Sequence, residues 1–582
     1  MSPKGTNRRR GVVRARWSLP AAALLIGPMG ACSDNTSEPR IADRVAKPLA
    51  VESPSGGGNR GLFTGRYVVR HGDDFEHDHG TFDPMLEVDD STILALDFGK
   101  GHKPNLDPGA RVRVRGMRTS RKIVVEDGST EVDTPDSPFS PFPSASLSQA
   151  GSSRDLTSTT IALAPTTKRV AVILFNFSNN QTQPYTTAFA AGVAFNDANS
   201  VAAYYQSNSW GGLSLVGNVY GWFTIPDSAT SACDFMSWAV SANKLAAAAG
   251  IDLSSASYDH IVYGFPSVAD CGFSGLAFMP GRQAWLNGSA GMSLRTMAHE
   301  LGHNFGTDHA SALNCIVNGA RVPLAADINA NCTRSEYGDP FSVMGSGTHR
   351  HTNLSLANFR WLPVANRLDV NTSGDYHLDP LYASAGTEAL RIQRSTGSYL
   401  TLEFRQSGPF DSFSSSDPAV NGVTVRISGS DGSPTQSLLL DMTSATTSFG
   451  DAALPVGRSF VDPVTGVSMT TLGVSSAGAD VRISFVPDTS APTEPTGLTA
   501  TANGSKITLS WKPSTDDVGV VGYRLYKNGK PQATTTGTVY IDVFGGGKKP
   551  SAAYHVVAFD AAGNVSTQST TILAREAADG RN

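Results

Sequence analysis

Within residues 299–309 three histidines and one glutamate stand at fixed intervals: His299, Glu300, His303 and His309. Residues four apart on an α-helix share a face, so His299 and His303 can project together and grip one ion. Glu300 is then rotated off the ligand face but stays beside the ion, where it can take a proton from a water and pass it to a leaving amine. Gly306 is expected to end the helix, because glycine adopts the left-handed conformation without steric cost. The chain can turn back there and bring in His309 as third ligand. Three neutral imidazoles leave a fourth position to water, the open arrangement of a catalytic Zn2+ site, and the chemistry implied is peptide-bond hydrolysis without a covalent intermediate.

Further on the chain reads Tyr337-Gly338-Asp339-Pro340-Phe341-Ser342-Val343-Met344-Gly345. The histidine segment fits the extended pattern of metzincin zinc peptidases, and Met344 is then the counterpart of the methionine those enzymes place as an apolar floor beneath the ion. With this turn and Asn358-Phe359-Arg360-Trp361-Leu362, the stretch from about Arg169 to Pro363 resembles the gametolysin group of secreted metallopeptidases. That resemblance implies an endopeptidase acting on extracellular or cell-wall glycoproteins. The sequence departs from astacin-like and serralysin-like metzincins at Ser346, where those carry tyrosine, so no tyrosine ligand is expected there. Tyr337 suits two roles, a packed core tyrosine or a donor to the oxyanion, with the core role preferred.

Other parts of the chain must hold that segment in place. At 582 residues it is too long for one hydrophobic core. Residues 1–32 have the basic-then-apolar build of a signal peptide, with an apolar stretch, Leu19 to Met29, too short to span a bilayer. It ends in Met29-Gly30-Ala31-Cys32, which resembles a bacterial lipoprotein processing site, so lipidation of Cys32 and simple cleavage are both carried forward. Residues 33–60 read as a flexible tether, 61–126 as a small β domain and propeptide, and 127–168 as a linker. Residues 169–365 read as the zinc metallopeptidase domain. There Arg169–Phe177 is a continuous apolar run, expected as a strand buried on both faces, and Thr186–Gln206 and Phe235–Gly250 read as helices. Residues 366–487 alternate as a β-sandwich. Residues 488–582 resemble a fibronectin type III domain, with Trp511 as a strand-B core residue and Tyr554 at its tyrosine corner. The fold class expected is multidomain α+β: a metzincin-type mixed α/β catalytic domain flanked by a small N-terminal β domain and two C-terminal β-sandwiches.

Beyond Cys32, the cysteines are Cys233, Cys271, Cys315 and Cys332. An even set in an exported chain implies two disulfides, and of three possible pairings Cys233–Cys271 with Cys315–Cys332 is preferred because each closes a local loop. No cysteine lies between Ser33 and Ala232, which excludes cysteine-based latency from that region. His71, His77 and His79 could mask the ion, but an exposed polar loop is preferred; His349 and His351 are expected to face solvent. Arg282–Asn287 reads equally as an edge strand for substrate and as a core strand. Asp327, Asn329 and Asn331 alternate as in calcium loops but lack the rest of the pattern, so Ca2+ is held only as a second candidate ion.

A net charge of −5, with its conspicuous basic run confined to the signal, excludes nucleic acid as the expected partner. The expected partner is a protein or peptide substrate, the expected state a monomer, and the expected location extracellular or the bacterial outer surface, with membrane contact only through Cys32. The competing reading is a surface adhesion protein on a peptidase scaffold. The intact Glu300 argues against it.

Overall fold

The structure is a computed structural model and describes residues 59–132 and 166–575, apart from 90–91, 100–103, 105, 231, 384, 396, 429–434, 486–488, 504, 517–519, 536, 544–550 and 561–562. The signal and lipidation readings at residues 1–32, including Cys32, lie outside the described residues, as do most of the tether and residues 133–165.

Ten strands build the sheet that carries the histidine segment: β1 (Asn59–Asp74), β2 (His79–Asp89), β3 (Thr92–Asp97), β4 (Arg111–Arg118), β5 (Lys122–Val132), β6 (Thr166–Phe177), β7 (Leu213–Ile225), β8 (His260–Phe265), β9 (Gly275–Met279) and β10 (Gln283–Asn287). Their spatial order is β2-β3-β5-β4-β1-β9-β10-β8-β6-β7. β6 is buried from Val170 to Phe177 because both of its faces are covered. Successive side chains on a strand point to opposite faces. Val170, Val172 and Leu174 therefore pack with helices α1 (Val201–Asn208) and α3 (Leu294–Phe305), while Ala171, Ile173 and Phe175 pack with α2 (Phe235–Ala248). A disulfide between Cys233 and Cys271 ties the start of α2 to the segment leading into β9.

After α3 the chain forms β11 (Ala310–Val317), β12 (Ala320–Val322) and β13 (Cys332–Ser335), with Cys315 bonded to Cys332 across β11 and β13. These strands do not close on themselves. β11 pairs in parallel with Ser437–Leu440, so the strands just after the histidine segment share one nine-stranded sheet with strands from residues 367–455. Buried ion pairs fasten the intervening segment to that sheet: Arg426 to Asp339 at 2.8 Å and Glu403 at 2.7 Å, and Arg405 to Asp411 at 3.0 Å. Arg405 also donates to the Phe341, Arg350 and His351 carbonyls, fixing the loop that bears Met344.

The α+β expectation is corrected by these pairings. Strands make up 46% of the described residues and helices only 16%, distributed over five sheets, and no separate mixed α/β catalytic domain stands between β domains. The physical reason is edge pairing: a strand with an open row of backbone donors and acceptors recruits a neighbour, whatever its distance along the chain. β1 does this with β9, and β11 with Ser437–Leu440. The helical content is also smaller than Thr186–Gln206 suggested. That stretch breaks into Thr187–Ala191, a π turn at Gly192–Asn196 and α1, with Ser200 capping the last through its Oγ.

Residues 499–575 form two facing sheets, of three and four strands, around Ile507, Leu509, Trp511, Tyr523 and Tyr554. This is the layered arrangement a fibronectin-like unit requires. The Tyr554 hydroxyl donates to the Asp542 carboxylate, in place of the backbone acceptor of a tyrosine corner.

Candidate metal centre

α3 starts where Ser293 Oγ accepts from Thr296 N at 3.2 Å and stops at Gly306, whose φ of 99° places it in the left-handed region. Every residue from Thr296 to Asn304 is buried, and His299 and His303 share one face of the helix; His309 returns from the chain beyond Gly306, and all three imidazoles have no solvent exposure. Each ring is oriented through Nδ1. His299 Nδ1 donates to the Val343 carbonyl at 2.9 Å, His303 Nδ1 to the Thr307 carbonyl at 2.9 Å, and His309 Nδ1 to Glu336 Oε1 at 2.6 Å. With the proton on Nδ1, Nε2 of a neutral imidazole is a bare acceptor.

The three Nε2 atoms converge, that of His303 lying 3.1 Å from both of the others. Two bare acceptors at that separation cannot be hydrogen-bonded to each other; they need a shared cation. Two ligand nitrogens each 2.0–2.1 Å from a tetrahedral ion stand about 3.3 Å apart. The donor set, its spacing and its tautomers therefore fit a divalent metal. Among the described residues no lysine or arginine forms an ion pair with Asp73 or Glu300, whereas Arg334 pairs with Glu336 at 2.6 Å.

Glu300 lies on the same helix, fully buried, with neither carboxyl oxygen hydrogen-bonded. Burial, and then the nearby Asp73, push it well above the ordinary carboxyl range. β9 passes directly over it: a Cβ on Gly275 would lie 2.0 Å from Glu300 Oε1, so only glycine fits. Met344 lies against the helix at Gly302, between His299 and His303 in the chain, where a Cβ on Gly302 would meet its Sδ at 2.5 Å. Its turn also supplies the Val343 carbonyl that holds His299. Tyr337, only 2% exposed, is packed beside the His309 ring, 4.6 Å between centroids, with its hydroxyl turned inward to the centre.

Sequence reasoning missed Asp73. Its Oδ1 stands 2.8 Å from His309 Nε2 and accepts from the Tyr337 hydroxyl at 2.7 Å; its Oδ2 faces His303 at 3.5 Å and His299 at 3.7 Å. Burial opposes its ionisation, but the neighbouring His309 and His299 outweigh this and hold it well below the ordinary carboxylate range. At His309, burial favours the neutral ring, yet the Asp73 and Glu336 carboxylates push it up to about 10. A proton on Nε2 and a metal ion compete for the same lone pair. His71, two residues before Asp73 on β1, is also buried, stacked on His303 at 4.0 Å, whereas His77 and His79 are exposed. The preferred exposed loop thus fails at His71. A sequence signal did exist: His71 and Asp73 alternate on one strand face.

Three other expectations change. Arg282–Asn287 contains β10, which lies between β9 and β8 in the sheet interior and is no edge. His351 is fully buried against Phe359 and Tyr205, not solvent-facing, and His349 is half-buried. The Asp327 carboxylate is engaged as a helix cap, accepting from Ala330 N at 3.0 Å.

Comparison with known proteins gives an independent finding. Residues 169–316 match the family described as Gametolysin peptidase M11. That match includes β6 from Arg169 onward, α3 and all three histidines, and it supports a gametolysin-like peptidase domain of metallopeptidase type. Two curated relatives match a short stretch: Chitinase A1 of Niallia circulans, 47% identical over 96 residues, and Exoglucanase B of Cellulomonas fimi, 46% identical over 87 residues. These cover 16% and 15% of this chain but only 14% and 8% of the relatives. Among solved structures, the central fibronectin-III array of RIM-binding protein is 21% identical, covering 19% of this chain and 44% of that one at a TM-score of 0.13, too slight a likeness to carry an argument. No helix among the described residues is long and apolar enough to cross a membrane.

Proposed function

We propose that the chain is a secreted zinc metalloendopeptidase, with His299, His303 and His309 as ligands and Glu300 as general base. The observation that carries this is the convergence of three Nε2 acceptors, that of His303 lying 3.1 Å from each of the other two, with a buried Glu300 beside them whose carboxyl oxygens have no hydrogen-bond partner. When bound, Zn2+ supplies Lewis acidity, polarising the scissile carbonyl and acidifying a water. The protein does the rest. Val343, Thr307 and Glu336 hold the imidazoles in the ligating tautomer. Glu300, with its affinity for protons raised by burial, accepts a proton from the attacking water and delivers it to the leaving amine. Tyr337 directs its hydroxyl at the Asp73 oxygen, and we assign it to donate to the substrate oxyanion that takes that place in the reacting complex.

Three neutral imidazole ligands favour Zn2+ over Ca2+ or Mg2+, which prefer oxygen. Two disulfides suit an oxidising, extracellular compartment, and the substrate class is extracellular protein. The assignment of residues 61–126 as propeptide and 488–582 as an accessory part belongs to this reading, whereas 169–365 and 366–487 share one sheet and are taken together as the body that carries the site. The chitinase and exoglucanase relatives of one short stretch add the prospect that an accessory part attaches the enzyme to polysaccharide. The test is incubation of zinc-loaded protein, intact and after limited proteolysis, with a diverse peptide library. Cleavage that a chelator abolishes and Zn2+ restores supports the reading; cleavage indifferent to chelation contradicts it.

A further inference from the structure

The segment of residues 59–132 does more than extend the sheet. β1 lies antiparallel along β9, with Val69 opposite Met279 and Asp73 opposite Gly275, the residue over Glu300. An extended peptide held across Glu300 and the histidines would need that same edge of β9. Around Asp73 the segment fills the remaining space. His71 stacks on His303, Phe82 meets His309 at 5.5 Å, and Phe75 covers His299 at 4.9 Å while lying 4.2 Å beneath the Arg295 guanidinium. Together these contacts leave the three imidazoles with no exposure.

We infer that residues 59–132 are a built-in inhibitor: Asp73 closes the metal's fourth position as a carboxylate ligand, and β1 occupies the substrate's edge of β9. This rests on the metallopeptidase reading above. It explains why a carboxylate is buried against three histidines with no arginine or lysine partner among the described residues, a placement that is costly unless a cation compensates it. It also explains how the block can be withdrawn. Among the described residues β1 pairs otherwise only with β2 and β4 of the same segment, whose core, Tyr67, Leu86, Val112, Val114 and Ile123, borrows Met279 from across the junction. Tyr337 is shared by both states: its hydroxyl holds Asp73 Oδ1 in the closed form and becomes free to meet substrate when Asp73 leaves. Activation is therefore any event that peels β1 from β9.

The test uses the full chain loaded with Co2+ or Zn2+, as wild type, Asp73→Ala and Asp73→Asn. Asparagine keeps the shape and the acceptor for Tyr337, so it guards against loss of fold, which circular dichroism checks. The probe is acetohydroxamate, a small metal chelator, read by the visible spectrum of the Co2+ form. If the site is closed in all but about one molecule in a hundred, the variants bind the probe ~100-fold more tightly than wild type. They also cleave a reporter peptide that wild type leaves intact. Equal probe affinity in wild type and both variants overturns the inhibitor. Tighter probe binding in the variants with no peptide cleavage even after limited proteolysis has cut residues 59–132 away leaves the inhibitor standing and overturns the peptidase reading instead.

Discussion

Two clusters of buried ionisable groups lie on either side of the Met344 loop. Around Arg405 and Arg426 every acid faces a guanidinium: Asp339 and Glu403 lie on Arg426, and Asp411 on Arg405. Around His303 the acids Asp73 and Glu300 and three imidazole acceptors face one another, with no arginine or lysine ion-paired to either acid among the described residues. Charge paired by the chain itself marks a fastening. Charge left for something else to pair marks a site of chemistry, since an uncompensated buried carboxylate is too costly to persist without a ligand.

His303→Ala breaks that comparison most completely. His303 lies between the other two imidazoles, 3.1 Å from both, so with the proposed ligand set its loss is expected to abolish metal binding and hydrolysis together. Metal analysis of the purified variant checks this, and a full complement of zinc would count against the ligand set. Arg426→Met attacks the other cluster. It leaves Asp339 buried without its guanidinium and Glu403 with Arg405 alone, at 3.5 Å, and is expected to cost about 3–5 kcal/mol in denaturant unfolding, with the folded fraction still metal-bound. Loss of metal without loss of stability would erase the distinction between the clusters.

The histidine cluster was the more legible of the two in sequence. His299 and His303 sit one helical turn apart, and Gly306 marks the helix end, so their geometry follows from local rules. Asp73 has no such tie. Its approach depends on β1 finding the edge of β9 across two hundred residues of chain, and backbone edges carry no periodicity to read. The same blindness produced the α+β expectation, because β11 and Ser437–Leu440 look like members of different domains until they pair. The apolar run at β6 was readable because burial on both faces leaves a continuous signature. His351 was misjudged because Gly347, Thr348 and His349 around it look like a surface loop; contacts from distant residues draw it inside, Arg405 to the Phe341, Arg350 and His351 carbonyls, Tyr382 to the His351 carbonyl and Asn208 to its N–H.

Smaller effects sharpen the contrast. Glu336→Gln removes the charge that orients His309 from behind while keeping an acceptor, and is expected to weaken metal affinity by about 10- to 100-fold in a competitive chelator titration. An unchanged affinity would reduce Glu336 to a surface partner of Arg334. His351 gives a pH signature. Burial drives its pKa to about 3 from 6.5, with Arg405 adding to the effect. The unfolded chain therefore takes up the proton first as pH falls, so stability is full above about pH 7 and declines through the window from 6.5 towards 3. Between pH 7 and pH 5 the expected loss from this group is about 2 kcal/mol. His351→Phe, which removes two unpartnered ring nitrogens, should flatten that part of the profile; an unaltered slope would place the acid sensitivity elsewhere.

The central claim is tested most directly in the Asp73→Ala background by adding Glu300→Ala and measuring zinc content and peptide cleavage on the same sample. One zinc per chain with cleavage lost is the result predicted. Cleavage that survives without Glu300, or zinc that leaves with it, would contradict the account.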